Sequence, residues 1–431
     1  MRLGARIKAA AEVLEEMFER HRPASNALSD WGTRHRFAGS GDRAAIGTLV
    51  YDALRRRHSL AAQMGSASPR ALVLAAAPRA YGVEAEQVAS AADGSAHALE
   101  PLADEERTRL LGGVPADASL HVLADVPEWL MPSFERAFGD RVVAEGQAMA
   151  LRAPVDLRVN LIKATREKVL KALEAMGAHA TALSPAGVRI PAPVGAAKAP
   201  HVEAEASHGK GWFEVQDEGS QIAALLAGAR PGQQVLDLCA GAGGKTLALA
   251  AAMGNSGQIY AYDADKGQLR PIFERLQRAG VRNVQVLNGG DQAALEALGP
   301  RFDVVLVDAP CTGSGTWRRR PDAKWRLKPE ALATRLADQR KTLDLAAKLV
   351  RPGGSITYVT CSVLPEENGD QVAWFLAQHA GFQLQPFGEL WRARVGGEPP
   401  VSADGQEGAL LLTPGRHATD GFFIATLKLA A

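Results

Sequence analysis

Two cysteines stand where covalent chemistry could be done. Cys311, in "VVLVDAPCTGSGT", and Cys361, in "ITYVTCSVLPEEN", each close a hydrophobic run that reads as a β-strand. A lone free cysteine is more often a small buried hydrophobe than a nucleophile. Two at matching strand ends, one preceded by Asp308-Ala309-Pro310, favour the nucleophile. If the two strands are neighbours in a parallel sheet, both thiols reach its C-terminal edge, where open α/β sheets bind ligands.

A third stretch, "VLDLCAGAGGKTLALA" from Val235 to Ala250, reads as strand, glycine-rich turn and helix. Its "GGKT" suggests the phosphate loop of an ATPase. That loop requires glycine six residues before the lysine, and the residue there is Cys239. The alternative template is an acid at a strand end followed by glycines that admit a ligand to the backbone. Asp237, Gly241, Gly243 and Gly244 supply it, and it suits S-adenosylmethionine. The next strand, "QIYAYD", ends in Asp263, placed for a ribose diol, and Asp291 in "LNGGD" is placed to flank an adenine. The competing reading makes these acids helix caps.

Methyl transfer to nitrogen or oxygen needs no thiol, but carbon 5 of a pyrimidine is a poor nucleophile. A thiolate adding to carbon 6 turns carbon 5 into an enamine-like centre that can take the methyl group. Asp308 is placed to hydrogen-bond the ring nitrogen, as a donor only if protonated. The base must be unpaired or flipped out to reach the thiol. The run "WRRRPDAKWRLK" offers Arg318, Arg319, Arg320 and Lys324 for phosphates and Trp325 for stacking. Its bland alternative is a solvated loop with its tryptophans in the core.

These motifs resemble those of the RsmB/Nop/Sun RNA (cytosine-5)-methyltransferases. "DLCAGAGGKT", "DAPCTGSGTWRRRPDAKW" and "TYVTCSVLPEENGDQV" carry the resemblance, with "RVNLIKATREKV", "FEVQDEGSQIAALL" and "LTPGRHATDGFF" beside them. It implies that Cys239, Ala240, Gly241, Ala242, Gly243, Gly244 and Lys245, with Asp263, Asp291 and Asp308, contact S-adenosylmethionine. Cys361 would attack carbon 6 and Cys311 would help release the product. DNA cytosine methyltransferases use a Pro-Cys similar to Pro310-Cys311, which would reverse the two roles. One departure is visible: the family's Ala-Pro before Gly-Gly is Gly241-Ala242 here. Bacterial members of the family act on small-subunit ribosomal RNA. Transfer RNA as substrate, an ATPase and a non-catalytic RNA-binding protein are the competing readings.

The elements that must position these residues divide into three regions. Residues 1–138 read as helical, from patterns such as "IKAAAEVLEEMF" and "DRAAIGTLVYDALRRR", with Asp42 as a helix cap. "HRFAGSGDRAAIGTLVYDALRRR" resembles the NusB-like, RNA-binding leader of bacterial family members. Residues 139–210 read as a small α+β domain, another candidate RNA contact, with a helix capped by Thr165 and ended by Gly177. From 211 to 431 strands alternate with helices, which implies a Rossmann-like, doubly wound, mostly parallel sheet. "GALLLTPG" and "GFFIATLKL" read as an antiparallel pair at its edge.

Composition excludes little but is consistent. The chain has 431 residues, is 46% hydrophobic and 23% charged, and carries a net charge of +1. That near-neutral total hides basic blocks, with 12 Lys/Arg against 7 Asp/Glu in residues 1–70 and 11 against 4 in 311–351. Such blocks fit a polyanionic partner. Three widely spaced cysteines with no CxxC pair argue against a disulfide framework or a metal site and for a reducing cytoplasm. No apolar run is long enough to span a bilayer. A monomer is expected.

Overall fold

The structure, a computed structural model, describes every residue except 199. Its contacts divide the chain into two compact units. One comprises Met1–Ala153, Ala192–Pro200 and Trp317–Leu327, the other Pro154–Pro191, His201–Thr316 and Lys328–Ala431.

The first unit is helical. Its central helix, Pro69–Tyr81, starts at a Ser68 cap with proline at its first position and ends at Gly82 in the left-handed conformation. The sequence "ALVLAAA" is apolar on every side and is buried on every side, against the helices Leu3–Arg20 and Ser40–Arg55. Asp42 is not the cap of Ser40–Arg55. Gly39 holds that position, and Asp42 lies in the first turn, where it accepts a hydrogen bond from Arg6 Nε at 2.9 Å.

The segment Trp317–Leu327 belongs to this helical unit, and that corrects its expected role. Trp317 stacks on Phe134 with ring centroids 5.6 Å apart. Lys324 is 2% exposed and donates to the Arg55 and Asp125 carbonyls at 2.8 and 2.6 Å. Trp325 Nε1 donates to the Leu54 carbonyl at 2.5 Å, and the Arg55 guanidinium donates to the Arg318 carbonyl. Arg318 is itself buried and Trp325 partly so, which leaves only Arg319 and Arg320 exposed among the five residues expected to grip RNA. Burial draws the Lys324 pKa down to about 8, with Asp125 opposing.

The second unit holds two sheets. The smaller is antiparallel: β1 (Val155–Val159), β2 (His179–Ala180), β3 (Gly187–Ile190) and β4 (Phe213–Val215), in the order β2-β3-β1-β4. With the helix Arg166–Ala172 after β1 and a short one before β4, it follows a ferredoxin-like βαββαβ path. Thr165 caps the first helix and Gly177 turns the chain after it. Because β4 pairs with β1, this sheet extends past residue 210, and the helix Val142–Met149 lies in the helical unit instead.

The larger sheet comprises β5 (Gln234–Asp237), β6 (Gln258–Ala261), β7 (Val284–Val286), β8 (Phe302–Asp308), β9 (Val350–Thr360), β10 (Phe382–Gln385), β11 (Leu410–Leu412) and β12 (Phe422–Leu429). The order is β10-β12-β9-β8-β5-β6-β7, with β11 also on β12. β5 to β9 run parallel, and the sequential order breaks between β5 and β8, which marks the ligand edge. Val305, Leu306, Ile356 and Tyr358 are wholly buried, which is why these strands read as unbroken apolar runs. β12 does not form the edge: it is antiparallel between β9 and β10, and "FQLQ" supplies the outer strand.

Lys324→Met would leave two buried carbonyls without a donor. We expect a loss of about 2 kcal/mol, read as a lower urea midpoint, with RNA affinity unchanged well below that midpoint. Weakened RNA binding at unchanged stability would contradict this structural role.

Candidate active site

At the C-terminal ends of β5, β6 and β8 lies a cleft of about 1000 Å³. Every residue from Cys239 to Lys245 except Gly243 lines it, together with Asp263 and Asp308. Gly243, at φ +83°, turns the loop into the helix Gly244–Ala252, and a Cβ there would lie 2.4 Å from Ile272. Gly241, at φ +49°, faces space that is empty out to Gln268 at 3.9 Å, so a ligand can approach the bare backbone. Asp263 accepts from Gly241 N at 3.0 Å and from Asp265 N at 2.9 Å. Arg275 donates to the Ala242 carbonyl at 2.8 Å and pairs with Glu214 of β4, which ties the loop to the small sheet.

Asp291 is placed otherwise than expected of an adenine ligand. It is exposed and caps the helix Gln292–Glu296 through Ala294 N, and Gln292 and Glu296 line the cleft instead. Behind the loop, Asp237 is fully buried. One of its oxygens accepts from Thr246 Oγ1 at 2.7 Å, and the other has no partner. Burial lifts its pKa to about 7, and Asp308 adds to the shift.

The phosphate-loop reading fails on this geometry. Lys245 is turned to Asp308, with Nζ 2.6 Å from Oδ2, and the loop's Gly241 N–H is already taken by a carboxylate. Burial works against the Lys245 charge, but Asp308 more than restores it and raises its pKa. The cleft fits a cation-bearing nucleoside better than a polyphosphate. Asp263, which lines the cleft, keeps lone pairs for hydroxyls beyond the two backbone N–H groups it accepts from.

The thiols lie beside this cleft. The β8–β9 register sets Asp308 opposite Val359, and the chains leaving the two strands bring Cys311 Sγ and Cys361 Sγ to 3.3 Å. All three cysteines are free. The hydrogen bond to Cys361, then burial and the charges of Cys361 and Glu367, push the Cys311 thiol well above its ordinary value. Burial and the nearby acids do the same to Cys239. Both thiols therefore hold their protons.

Two residues that sequence reasoning left unassigned hold the Cys311 loop. Glu367, wholly buried after the second cysteine, accepts from Thr312 N at 2.8 Å and from Thr312 Oγ1 at 2.5 Å. Gln339, from the helix Pro329–Leu349, donates to both Glu367 and the Pro310 carbonyl at 3.0 Å. The signal was present: an acid pair in "LPEEN", directly after a run otherwise apolar. Close backbone contact completes the joint, since a Cβ on Gly315 would sit 2.4 Å from the Gly421 carbonyl oxygen.

A parallel sheet reversing at β5/β8, with an acid- and glycine-built loop at that point and an antiparallel β12 inserted beside β9, defines a Rossmann-like S-adenosylmethionine-dependent methyltransferase. The chain belongs to the RsmB/F family of 16S rRNA methyltransferases, which matches it over residues 224–428. Residues 126–197 match the ferredoxin-like domain of RsmF/B-like methyltransferases. A probable ribosomal RNA small subunit methyltransferase B of Synechocystis sp. is 34% identical over 308 residues, 70% of this chain and 67% of that one. The ribosomal RNA small subunit methyltransferase B of Erwinia tasmaniensis is 34% identical over 284 residues, 65% of this chain and 64% of the relative. The chain thus aligns with about two thirds of these relatives' length. The crystal structure of PH0851 is similar at 26% identity, with a TM-score of 0.73 over 98% of both chains. Among the described residues no helix is long and apolar enough to cross a membrane, and no cluster of His, Cys, Asp and Glu could hold a metal ion.

The raised Asp237 pKa sets a pH dependence of stability. Between about pH 4 and 7 the folded state holds a proton that the unfolded chain has lost, so stability falls as pH rises. The whole effect is about 4 kcal/mol. Asp237→Asn should flatten this fall in urea unfolding compared at about pH 5 and pH 8. An equal fall in wild type and variant would show that Asp237 does not cause it.

Glu367→Gln removes an acceptor from the Cys311 loop while keeping its shape. A displaced thiol should cut kcat about 10- to 100-fold with the KM for S-adenosylmethionine unchanged. Single-turnover methyl incorporation separates the two quantities.

Proposed function

We propose that this protein methylates carbon 5 of a cytosine in small-subunit ribosomal RNA through a covalent adduct of Cys361 with carbon 6. The observation that carries this reading is the pair of unbonded thiols 3.3 Å apart at the ends of β8 and β9, beside the nucleoside cleft. S-adenosylmethionine supplies an electrophilic methyl group. It would be held by the Cys239–Lys245 loop and Asp263, with Asp308 between it and the base.

The two thiols have different tasks. Either sulfur can donate across this contact, and because the Cys311 thiol is the one whose proton is held tightly, we assign the attack to Cys361. Addition to carbon 6 ties up that sulfur and removes one of the interactions that hold the Cys311 proton, leaving burial and Glu367. Once carbon 5 has taken the methyl group, Cys311, having given its thiol proton to solvent, accepts the proton on carbon 5, and breaking the carbon 6–sulfur bond releases Cys361 as thiolate. Asp308 accepts from Lys245, so its second oxygen serves as an acceptor for the exocyclic amine of cytosine, not as a donor to the ring. A uracil lacks that amine and offers an oxygen instead, which Asp308 would repel.

Residues 1–138 are read as a NusB-like RNA-binding leader, a reading that rests on the resemblance of "HRFAGSGDRAAIGTLVYDALRRR". The small sheet is read as a further RNA contact. The chemistry needs both thiols reduced, as in a cytoplasm.

The test mixes Cys311→Ala with S-adenosylmethionine and unmodified small-subunit ribosomal RNA and reads covalent protein–RNA complex on a denaturing gel. A complex should accumulate, and adding Cys361→Ala should abolish it. Adduct formation by Cys361→Ala but not by Cys311→Ala would reverse the roles. Methyl transfer to transfer RNA alone would move the substrate.

A further inference from the structure

We infer that the large sheet carries a phosphate-binding site at the edge opposite the thiols, and that it takes a backbone phosphate of the bound RNA. The second half rests on the proposed RNA substrate. The site is a polar cavity of about 150 Å³ where β5, β8 and β9 begin and β12 ends. Arg230, Arg351, Arg394 and Lys428 line it, and Asp303 is the sole carboxylate among its lining residues.

These cations are held in place mainly by backbone. Arg394 donates to the Leu226 carbonyl, and its guanidinium lies so close to Gly228 that a Cβ there would be 2.5 Å from Cζ. Lys428 donates to the Gly353 carbonyl. Arg351 reaches Asp303 Oδ1 at 2.6 Å, while Asp303 Oδ2 is taken by Gln234 N at 2.8 Å. The Arg230 guanidinium finds no acceptor among the described residues, its backbone N–H alone donating to Gln233 Oε1 at 2.7 Å. Four cations thus share one carboxylate in a chain whose overall net charge is only +1. Burial and the charge of Arg230 both depress the Arg394 pKa, as expected of a guanidinium short of anions.

Carbonyl-held guanidinium and ammonium groups keep N–H donors for another acceptor. Several such donors around one small polar space match a tetrahedral oxyanion. A metal cation is excluded by the sign of the charge. From Asp303 to Asp308 along β8 is on the order of 17 Å, a distance that several nucleotides of RNA backbone can span. An RNA presenting one cytosine at the thiols has backbone at that range.

The test uses the full chain and the double variant Arg230→Gln/Lys428→Gln, both exposed positions outside the cofactor cleft. Binding of a small-subunit ribosomal RNA transcript is measured across salt concentrations, alongside urea unfolding with and without inorganic phosphate. The site predicts a slope of log K against log salt shallower by about 1, phosphate protection in wild type that the variant loses, and unchanged affinity for S-adenosylmethionine. Phosphate protection lost at an unchanged salt slope would overturn the RNA assignment and leave a site for free phosphate. No phosphate protection in wild type, with equal slopes, would overturn the site itself. Failure of the wild type to methylate ribosomal RNA would count against the proposed function, while slope and protection would still decide this site.

Discussion

The parallel pairing of β8 with β9 is the constraint on which the chemistry depends. Its register sets Val305 opposite Ile356 and Asp308 opposite Val359, so both strands end at the same height. A slip of one residue would turn each side chain to the opposite face and strand buried apolar groups, so the register is strongly specified. What the strands deliver, the loops then fix. Gly315 N binds the Cys361 carbonyl, Gly421 N binds the Gly315 carbonyl, and Glu367 with Gln339 grips the residues on either side of Cys311. Two thiols at 3.3 Å are therefore the end product of long-range pairing, not of any local motif.

The same unit keeps charge where solvent is scarce. Lys245 stays charged because Asp308 lies 2.6 Å away, and Asp308 can remain partly exposed because Lys245 anchors it from behind. Asp237 has no such cation bonded to it and leans toward the neutral form. The ammonium is thereby kept charged while the neighbouring buried acid is drawn toward its neutral form, a separation that burial alone would not produce. Glu214 extends the order outward. It takes both Arg275 and Arg278, and Arg275 holds the Ala242 carbonyl of the cofactor loop. Displacing β4 would thus disturb the loop that faces the cleft.

The parts of this fold legible in the sequence are those where one physical demand dominates. Strands buried on both faces must be apolar throughout, so β8 and β9 announce themselves. The loop glycines Gly241 and Gly243 are needed for backbone geometry that few other residues adopt. Where demands compete, the reading slipped. Gly39 took the cap expected of Asp42, whose carboxylate found Arg6 instead. Asp291 remained at its own helix N-terminus because a short side chain can satisfy Ala294 N without reaching the cleft. β10 is not legible because "FQLQ" is short and half polar, and its strand character comes from pairing with β12 more than 40 residues away. Glu367 and Gln339 act on a loop distant in sequence, and no spacing rule connects them to it.

The basic stretch 311–351 shows why charge density in a sequence carries no address. Its excess of seven positive charges suggests a single surface. In the fold it is divided among unrelated environments. Lys324 and Arg318 are buried in the helical unit, where the first satisfies backbone carbonyls and the second offers its own carbonyl to Arg55. Arg335, Lys341 and Lys348 border the cofactor cleft on one face of the helix Pro329–Leu349, interleaved there with Asp338 and Asp344. Arg351 lies at the opposite end of the sheet beside Asp303. A lysine hydrogen-bonded inside a core cannot also attract a phosphate, since desolvation has already lowered its tendency to carry charge. Polyanion affinity must therefore be argued from the cations that burial leaves in solvent, and only a fold can say which those are.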